Sequence, residues 1–97
     1  MEIKQTEVNK KGAFIAYSDT IEAGKMTYTW AGNTKFIIDH TEVDPQFNGQ
    51  GVGKKMLMEA IKMAREKNVK ILPLCPFAKS VFDKTPEIED VLFKNNN

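Results

Sequence analysis

A mixed α/β (α+β) fold, antiparallel early and parallel late, is the architecture this sequence predicts, and three observations carry it. The first third alternates apolar or β-branched residues with polar ones, in runs separated by turn-like clusters. Past Asp44-Pro45 the apolar spacing changes to a single helical stripe. A short apolar run follows, and strand, helix and strand together imply a right-handed parallel crossover.

The early runs are Ile3, Val8, Ala13-Phe14-Ile15-Ala16-Tyr17, Met26-Thr27-Tyr28-Thr29-Trp30 and Phe36-Ile37-Ile38. The clusters Asn9-Lys10-Lys11-Gly12, Ala23-Gly24-Lys25 and Ala31-Gly32-Asn33 are read as turns, which gives a four-stranded antiparallel meander before residue 44. Val52, Met56, Leu57, Ala60, Ile61 and Ala64 line one face of a helix from about residue 51 to residue 66. Asn68 stops that helix, and Val69-Lys70-Ile71-Leu72-Pro73-Leu74-Cys75 reads as a buried strand. After Pro76 a short helix is expected over residues 78–83, and Pro86 opens another turn through Glu89-Asp90-Val91-Leu92. The tail Asn95-Asn96-Asn97 is expected to fray. Neither a linker nor a repeat interrupts the chain, so residues 1–97 are read as one domain with a core from about 3 to 92.

Composition narrows the function classes. A chain of 97 residues has room for one small core. Fourteen Lys and Arg against thirteen Asp and Glu leave a net charge of +1, too little for a basic field that would hold nucleic acid or an anionic membrane. The single Cys forbids an internal disulfide, and with no targeting or membrane-spanning stretch a reducing, cytoplasmic setting is the expectation. One His is too few for a multi-histidine metal site, and His40 with Cys75 would supply at most half a zinc site, so no metal is expected.

The most informative stretch is Val43-Asp44-Pro45-Gln46-Phe47-Asn48-Gly49-Gln50-Gly51-Val52-Gly53-Lys54-Lys55, three alternate glycines between a strand and an amphipathic helix. Glycine lets backbone approach a ligand without a Cβ, and the unpaired amides of a first helical turn point at one place with the positive end of the helix dipole behind them. A phosphate or pyrophosphate fits there; the alternative is a plain glycine-rich turn. A P-loop is excluded because Gly53-Lys54 is followed by Lys55 rather than Ser or Thr and Asn48 stands at the earlier glycine position. A dinucleotide fold is excluded because the third glycine comes one residue early and the chain is too short for a second βαβ unit.

These residues resemble the coenzyme A loop of the GNAT superfamily of N-acetyltransferases, which reads Arg or Gln, two residues, Gly, one residue, Gly or Ala. Here Asn48, Gly49-Gln50, Gly51, Val52 and Gly53 fill those places, after a strand ending in Val43 and before the expected helix. Asn48 departs from the family's Arg or Gln. The resemblance covers roughly residues 12–92 and is nearer still to a small, single-domain GNAT-like subfamily with a Cys-Pro-aromatic stretch, here Cys75-Pro76-Phe77. It implies the GNAT acyl-CoA N-acyltransferase fold, acetyl-CoA as co-substrate and an amine acceptor. It also implies a pyrophosphate held by Asn48, Gly49, Gln50, Gly51, Val52, Gly53 and Lys54, with Val43, Cys75, Pro76, Phe77, Lys79 and Phe82 as further coenzyme contacts; Lys79 and Lys84 read as reaching the adenosine phosphates or, more commonly for such lysines, as ordinary surface charge.

Pro73 cannot donate a ladder hydrogen bond, so the strands ending near Val43 and Cys75 are expected to part toward their C-terminal ends. Such a crevice is where open α/β sheets bind ligands. The resemblance implies that the pantetheine arm fills it like an added strand, with the thioester near Glu42, Val43 and Cys75. His40 and Glu42 lie two apart on one strand face, so either can take a proton. Glu42 is the first choice of base, raised toward a useful value if it is buried beside Asp44; a solvated strand-end carboxylate is the alternative. His40 reads as base, relay or hydrogen-bonded structural histidine. Cys75 reads as proton donor to the leaving thiolate, acetyl acceptor or small buried hydrophobe.

Two departures from the family pattern bear on activity. Phe82 stands at a place where these enzymes often carry a Tyr general acid, and Phe has no proton to give. Residues 9–12 make only a tight turn where the family has helices that wall the acceptor site, leaving a cleft that a large acceptor, a partner chain or a dimer would complete. An N-acetyltransferase acting on an unidentified amine is therefore the first expectation and a coenzyme A or acyl-CoA binding module the second. A third is an interaction domain in which Trp30, Phe36 and Phe47 are core or contact residues.

Overall fold

In the computed structural model, which describes residues 1–94, five strands form one sheet in the order β1-β2-β3-β4-β5. They are β1 (Glu2–Val8), β2 (Lys11–Ser18), β3 (Ile21–Ala31), β4 (Lys35–Val43) and β5 (Lys70–Pro73). The first four pair antiparallel and β5 joins β4 in parallel. Helix α1 (Val52–Lys67) makes the crossover, and α2 (Pro76–Lys84) and a 3-10 helix, Pro86–Val91, complete the chain. This is the α+β architecture that the strand runs and the helical stripe predict. The expected fraying at residues 95–97 lies outside the described residues.

The apolar stripe of α1 is buried as its spacing requires. Met56, Leu57, Ala60, Ile61 and Ala64 are fully enclosed and join Met26, Tyr28, Phe36, Ile38 and Ile71 of the sheet in one core that includes Ala78 and Phe82 of α2. A Leu57→Ala cavity there costs about 2–5 kcal/mol. Asn68 ends α1 in the left-handed conformation, its N–H reaching back to the carbonyls of Ala64 and Arg65. On the far side of α1, Arg65 makes paired bonds of 2.9 and 3.0 Å to Asp90 and a third of 3.2 Å to the Glu87 carbonyl, tying the 3-10 helix down. The chain then returns to the sheet: Leu92 bridges Ile71 in parallel and Phe93 N donates to Ile71 O at 2.8 Å, covering part of the outer edge of β5.

Two of the expected turns are displaced. Only Asn9 and Lys10 turn between β1 and β2, both with positive φ (51° and 71°), as a tight hairpin with right-handed strand twist demands. Gly12 lies inside β2 instead, where a Cβ would stand 2.4 Å from the Tyr28 ring. The cluster Ala23-Gly24-Lys25 is not a turn either: the chain reverses at Asp19-Thr20, and Ala23 and Gly24 sit within β3 beside a register shift. A Cβ at Gly24 would lie 2.9 Å from Val52 and 3.0 Å from the Glu42 carbonyl, so this glycine marks the close approach of α1 to the sheet rather than a change of direction.

The room left by Gly12 lets the Tyr28 side chain reach β1. Its hydroxyl donates to Glu7 Oε1 at 2.7 Å and accepts from Gln5 at 2.7 Å, while Trp30 Nε1 donates to the same Glu7 oxygen at 2.9 Å. Tyr28 packs its ring between Phe14 and Phe36, at centroid distances of 5.3 and 5.5 Å. The bonds from Trp30 and then Tyr28 hold Glu7 below its ordinary value of 4.5, whereas burial, reinforced by Glu7, pushes the Tyr28 phenol up from 10.0 to about 12. Between these two pH values the unfolded chain has released a proton that the folded chain keeps, so stability is full below pH 10.0 and falls as the pH climbs toward about 12. Denaturation midpoints measured across that window are expected to decline, and Tyr28→Phe is expected to cost about 1 kcal/mol at neutral pH while making the alkaline decline shallower. An identical decline in the variant contradicts this assignment.

Candidate coenzyme and acyl-transfer site

The site is built where β4 leaves β5. The parallel ladder runs from Lys35↔Lys70 to Ile38↔Pro73, whereas β4 itself continues to Val43. At its end the Ile38 carbonyl accepts from both Leu74 N (3.1 Å) and Cys75 N (3.2 Å), which turns the chain away from β4 and into α2. Pro73 closes the ladder at the position where a missing N–H does least harm. The strands thus part at the point that proline suggests, and the free side of β4 over residues 39–43 faces the opening.

A bulge in β4 decides which side chains face which way. Tyr28 pairs with Ile38 but Thr27 pairs with His40, so Asp39 is the extra residue, and Thr29 Oγ1 donates to its carboxylate at 2.7 Å. One inserted residue exchanges the two faces of everything beyond it. Phe36 and Ile38 are buried under α1, yet His40 and Glu42, at the same even spacing, are exposed on the opposite face. There they meet Lys25 and Thr27 around a hollow of about 200 Å³. His40 and Glu42 thus share one face of β4, and Glu42 is exposed there rather than buried beside Asp44.

Thr41 points the other way, and its hydroxyl lies 3.2 Å from Cys75 Sγ. The Cys75 sulfur also accepts from Ala78 N at 3.4 Å, capping α2, and the residue is 5% exposed. Cys75 and the pair His40 and Glu42 therefore flank β4 from opposite faces and do not converge on one side. Leu74 and Phe77, beside Cys75, are 61% and 37% exposed and give the mouth of the opening an apolar rim.

The glycine loop stands at the same end of the sheet. Asp44 accepts from Gln46 N at 2.9 Å and so starts the 3-10 turn Pro45–Phe47, while Phe47 is buried and anchors the loop. Gly49 and Gly51 have φ of 82° and 73°, a region costly for side chains, and a Cβ at either meets nothing within 4 Å. The first internal bond of α1 is Lys55 N to Gly51 O at 3.0 Å. The amides of Val52, Gly53 and Lys54 consequently have no acceptor within the helix. No side chain caps this terminus and no acidic residue sits in the first turn. Open left-handed glycines, uncapped amides and the exposed ammonium groups of Lys54 and Lys55 fit a bound diphosphate chemically.

The remaining expected residues divide. Asn48, Gln50 and Pro76 are exposed along the loop and the start of α2, and Val43 is half-buried against the core. Lys79 is exposed and paired with Asp83 at 3.5 Å on its own helix, and Lys84 is exposed at the helix end. Phe82 is 6% exposed and turned into the core, so the structure does not bring it to the opening. Sequence reasoning missed Asp39 and Thr41, since nothing in an even alternation signals a bulge, and it missed that Gly53 touches Phe77: a Cβ there would lie 2.8 Å from the ring.

The comparisons with known proteins agree with this geometry. A family model described as GCN5-related N-acetyltransferase matches residues 13–91. The solution structure of a GCN5-like protein from Staphylococcus aureus is 36% identical, over 99% of this chain and 91% of that one, with a TM-score of 0.73. A nourseothricin acetyltransferase is 29% identical over 65% of this chain and 39% of its own, at a TM-score of 0.56. An aminoglycoside N-acetyltransferase solved with coenzyme A shares 14% identity over 99% of both chains at 0.64, a likeness of fold alone. No curated protein matches the chain. With the loop, the parted strands and the matched family model in agreement, the chain belongs to the GCN5-related N-acetyltransferases, a family that uses acetyl-CoA and an acceptor amine.

Proposed function

We propose that this protein binds acetyl-CoA with the diphosphate on the Val52, Gly53 and Lys54 amides and the pantetheine arm in the opening between β4 and β5, and passes the acetyl group to an amine. The observation that carries the reading is the uncapped start of α1, with Gly49 and Gly51 open to solvent, next to a strand whose free side has no ladder partner beyond Ile38. Asn48, Gln50 and Lys79 would add side-chain contacts to the phosphates.

In this reading the amine approaches on the exposed face of β4. Glu42, with His40 as relay, takes a proton from the amine nitrogen as it attacks the thioester carbonyl. Backbone amides near Val43 polarise that carbonyl. The carbon–sulfur bond breaks toward the other face, where the Cys75 thiol or water protonates the departing thiolate. Base and acid on opposite faces of one strand suit direct transfer better than a covalent relay through Cys75. The buried Phe82 side chain supplies no proton, and this favours a second reading, a coenzyme A or acyl-CoA binding module with little turnover. The acceptor cleft, walled on one side only, is the place for a large acceptor, a partner chain or a second copy. A cytoplasmic setting with no metal, nucleic-acid or membrane partner completes the proposal.

Gly51→Glu is expected to abolish acetyl-CoA binding in calorimetry, because the new carboxylate enters the diphosphate position; unchanged affinity would place the ligand elsewhere. Glu42→Gln is expected to leave that affinity intact and to slow amine-dependent release of coenzyme A by about ten- to a hundredfold. Equal rates for the two proteins across pH would remove Glu42 from the base role, and no amine-dependent release from the unaltered protein would leave the binding module. Under single-turnover conditions with acetyl-CoA, intact-mass spectrometry is expected to show no acetyl group on Cys75; a rapidly formed and amine-discharged adduct would replace direct transfer with the covalent route.

A further inference from the structure

The three glycines of the loop look alike in sequence and differ in space. Gly49 and Gly51 carry positive φ and face open solvent, but Gly53 is buried, has ordinary helical backbone, and would press a Cβ to 2.8, 3.0 and 3.3 Å from three atoms of the Phe77 ring. Such distances are below normal carbon contact, so any side chain at position 53 must displace that ring. Phe77 occupies the first turn of α2, next to Cys75, and the residue is 37% exposed. The contact is therefore the place where the start of α1 meets the start of α2, at the edge of the same opening.

We propose that Gly53 is a positioning residue whose missing side chain lets the Phe77 ring lie against the first turn of α1 as the apolar wall of the coenzyme channel. The wall shields the Val52, Gly53 and Lys54 amides from water on the α2 side, which strengthens their grip on an anion, and gives the pantetheine arm an apolar surface to follow. This rests on the coenzyme reading above and goes beyond it by assigning Gly53 and Phe77 one shared role rather than two separate contacts. The missing side chain at position 53 then acts on the ligand through the ring, while the Gly53 amide keeps its place among the diphosphate donors.

A double-mutant cycle tests this, with coenzyme A affinity measured by calorimetry on Gly53→Ala, Phe77→Ala and the pair, each first checked for native amide spectra. Both single variants are expected to weaken coenzyme A about tenfold, and Gly53→Ala is expected to cost nothing further once Phe77 is absent. Thermal stability supplies an independent reading, since alanine is the better helix former: in the Phe77→Ala background Gly53→Ala is expected to raise Tm while leaving affinity unchanged. Equal tenfold losses from Gly53→Ala with and without Phe77 would overturn the proposal and assign the bare α-carbon of Gly53 a direct packing contact with the ligand. Full affinity in Gly53→Ala alone would overturn it as well. Absence of coenzyme A binding by the unaltered protein would instead overturn the coenzyme reading, and this inference with it.

Discussion

The Ile38 carbonyl takes two amides where a continuing parallel ladder would give it one, and this local arrangement shapes the rest of the site. Leu74 and Cys75 both donate to it, so the chain after β5 swings away while β4 runs on to Val43. Immediately beyond, the extra residue Asp39 turns His40 and Glu42 to the open face and Thr41 to the covered one. A strand that ends its ladder and changes face at nearly the same residue offers free backbone to a ligand and different side chains on either side of it. The Thr41 hydroxyl can then meet the Cys75 sulfur below the sheet while Glu42 stands above.

The core makes that irregularity tolerable. Met56, Leu57 and Ile61 of α1 hold the sheet from one side, and the Gly24 gap lets α1 approach β3 and β4 closely near their ends at the site. At the other edge Glu7, Gln5, Tyr28 and Trp30 fasten β1, which otherwise buries little of its own. The small size of the chain sharpens this division. With a two-residue hairpin between β1 and β2, one face of the sheet has a helical cover and the other presents Lys25, His40 and Glu42 to solvent.

Much of this was legible in the sequence where a repeating physical pattern carried it. The period of Val52, Met56, Leu57, Ala60, Ile61 and Ala64 marks α1, Asn68 its end, and Pro73 the parting of the strands, since each signal reflects burial or backbone chemistry local to the residue. The glycines are less legible, because the absence of a side chain serves several ends. Gly12 and Gly24 give way to Tyr28 and Val52 across the fold, a long-range demand that a window of neighbouring residues does not contain. The bulge at Asp39 is hidden for the same reason: Phe36, Ile38, His40 and Glu42 keep a regular alternation, and only pairing with β3 reveals the inserted residue. The return of Leu92 and Phe93 to the edge of β5 depends likewise on where Arg65 pins the preceding turn.

The central claim, a diphosphate gripped by main-chain amides at the start of α1, is tested most directly by following backbone amide resonances while coenzyme A is added. The largest and saturable shifts are expected at residues 48–54, with smaller ones along β4 from Asp39 to Val43. Saturable binding that leaves 48–54 unmoved would contradict the account, whatever transfer activity the protein displayed.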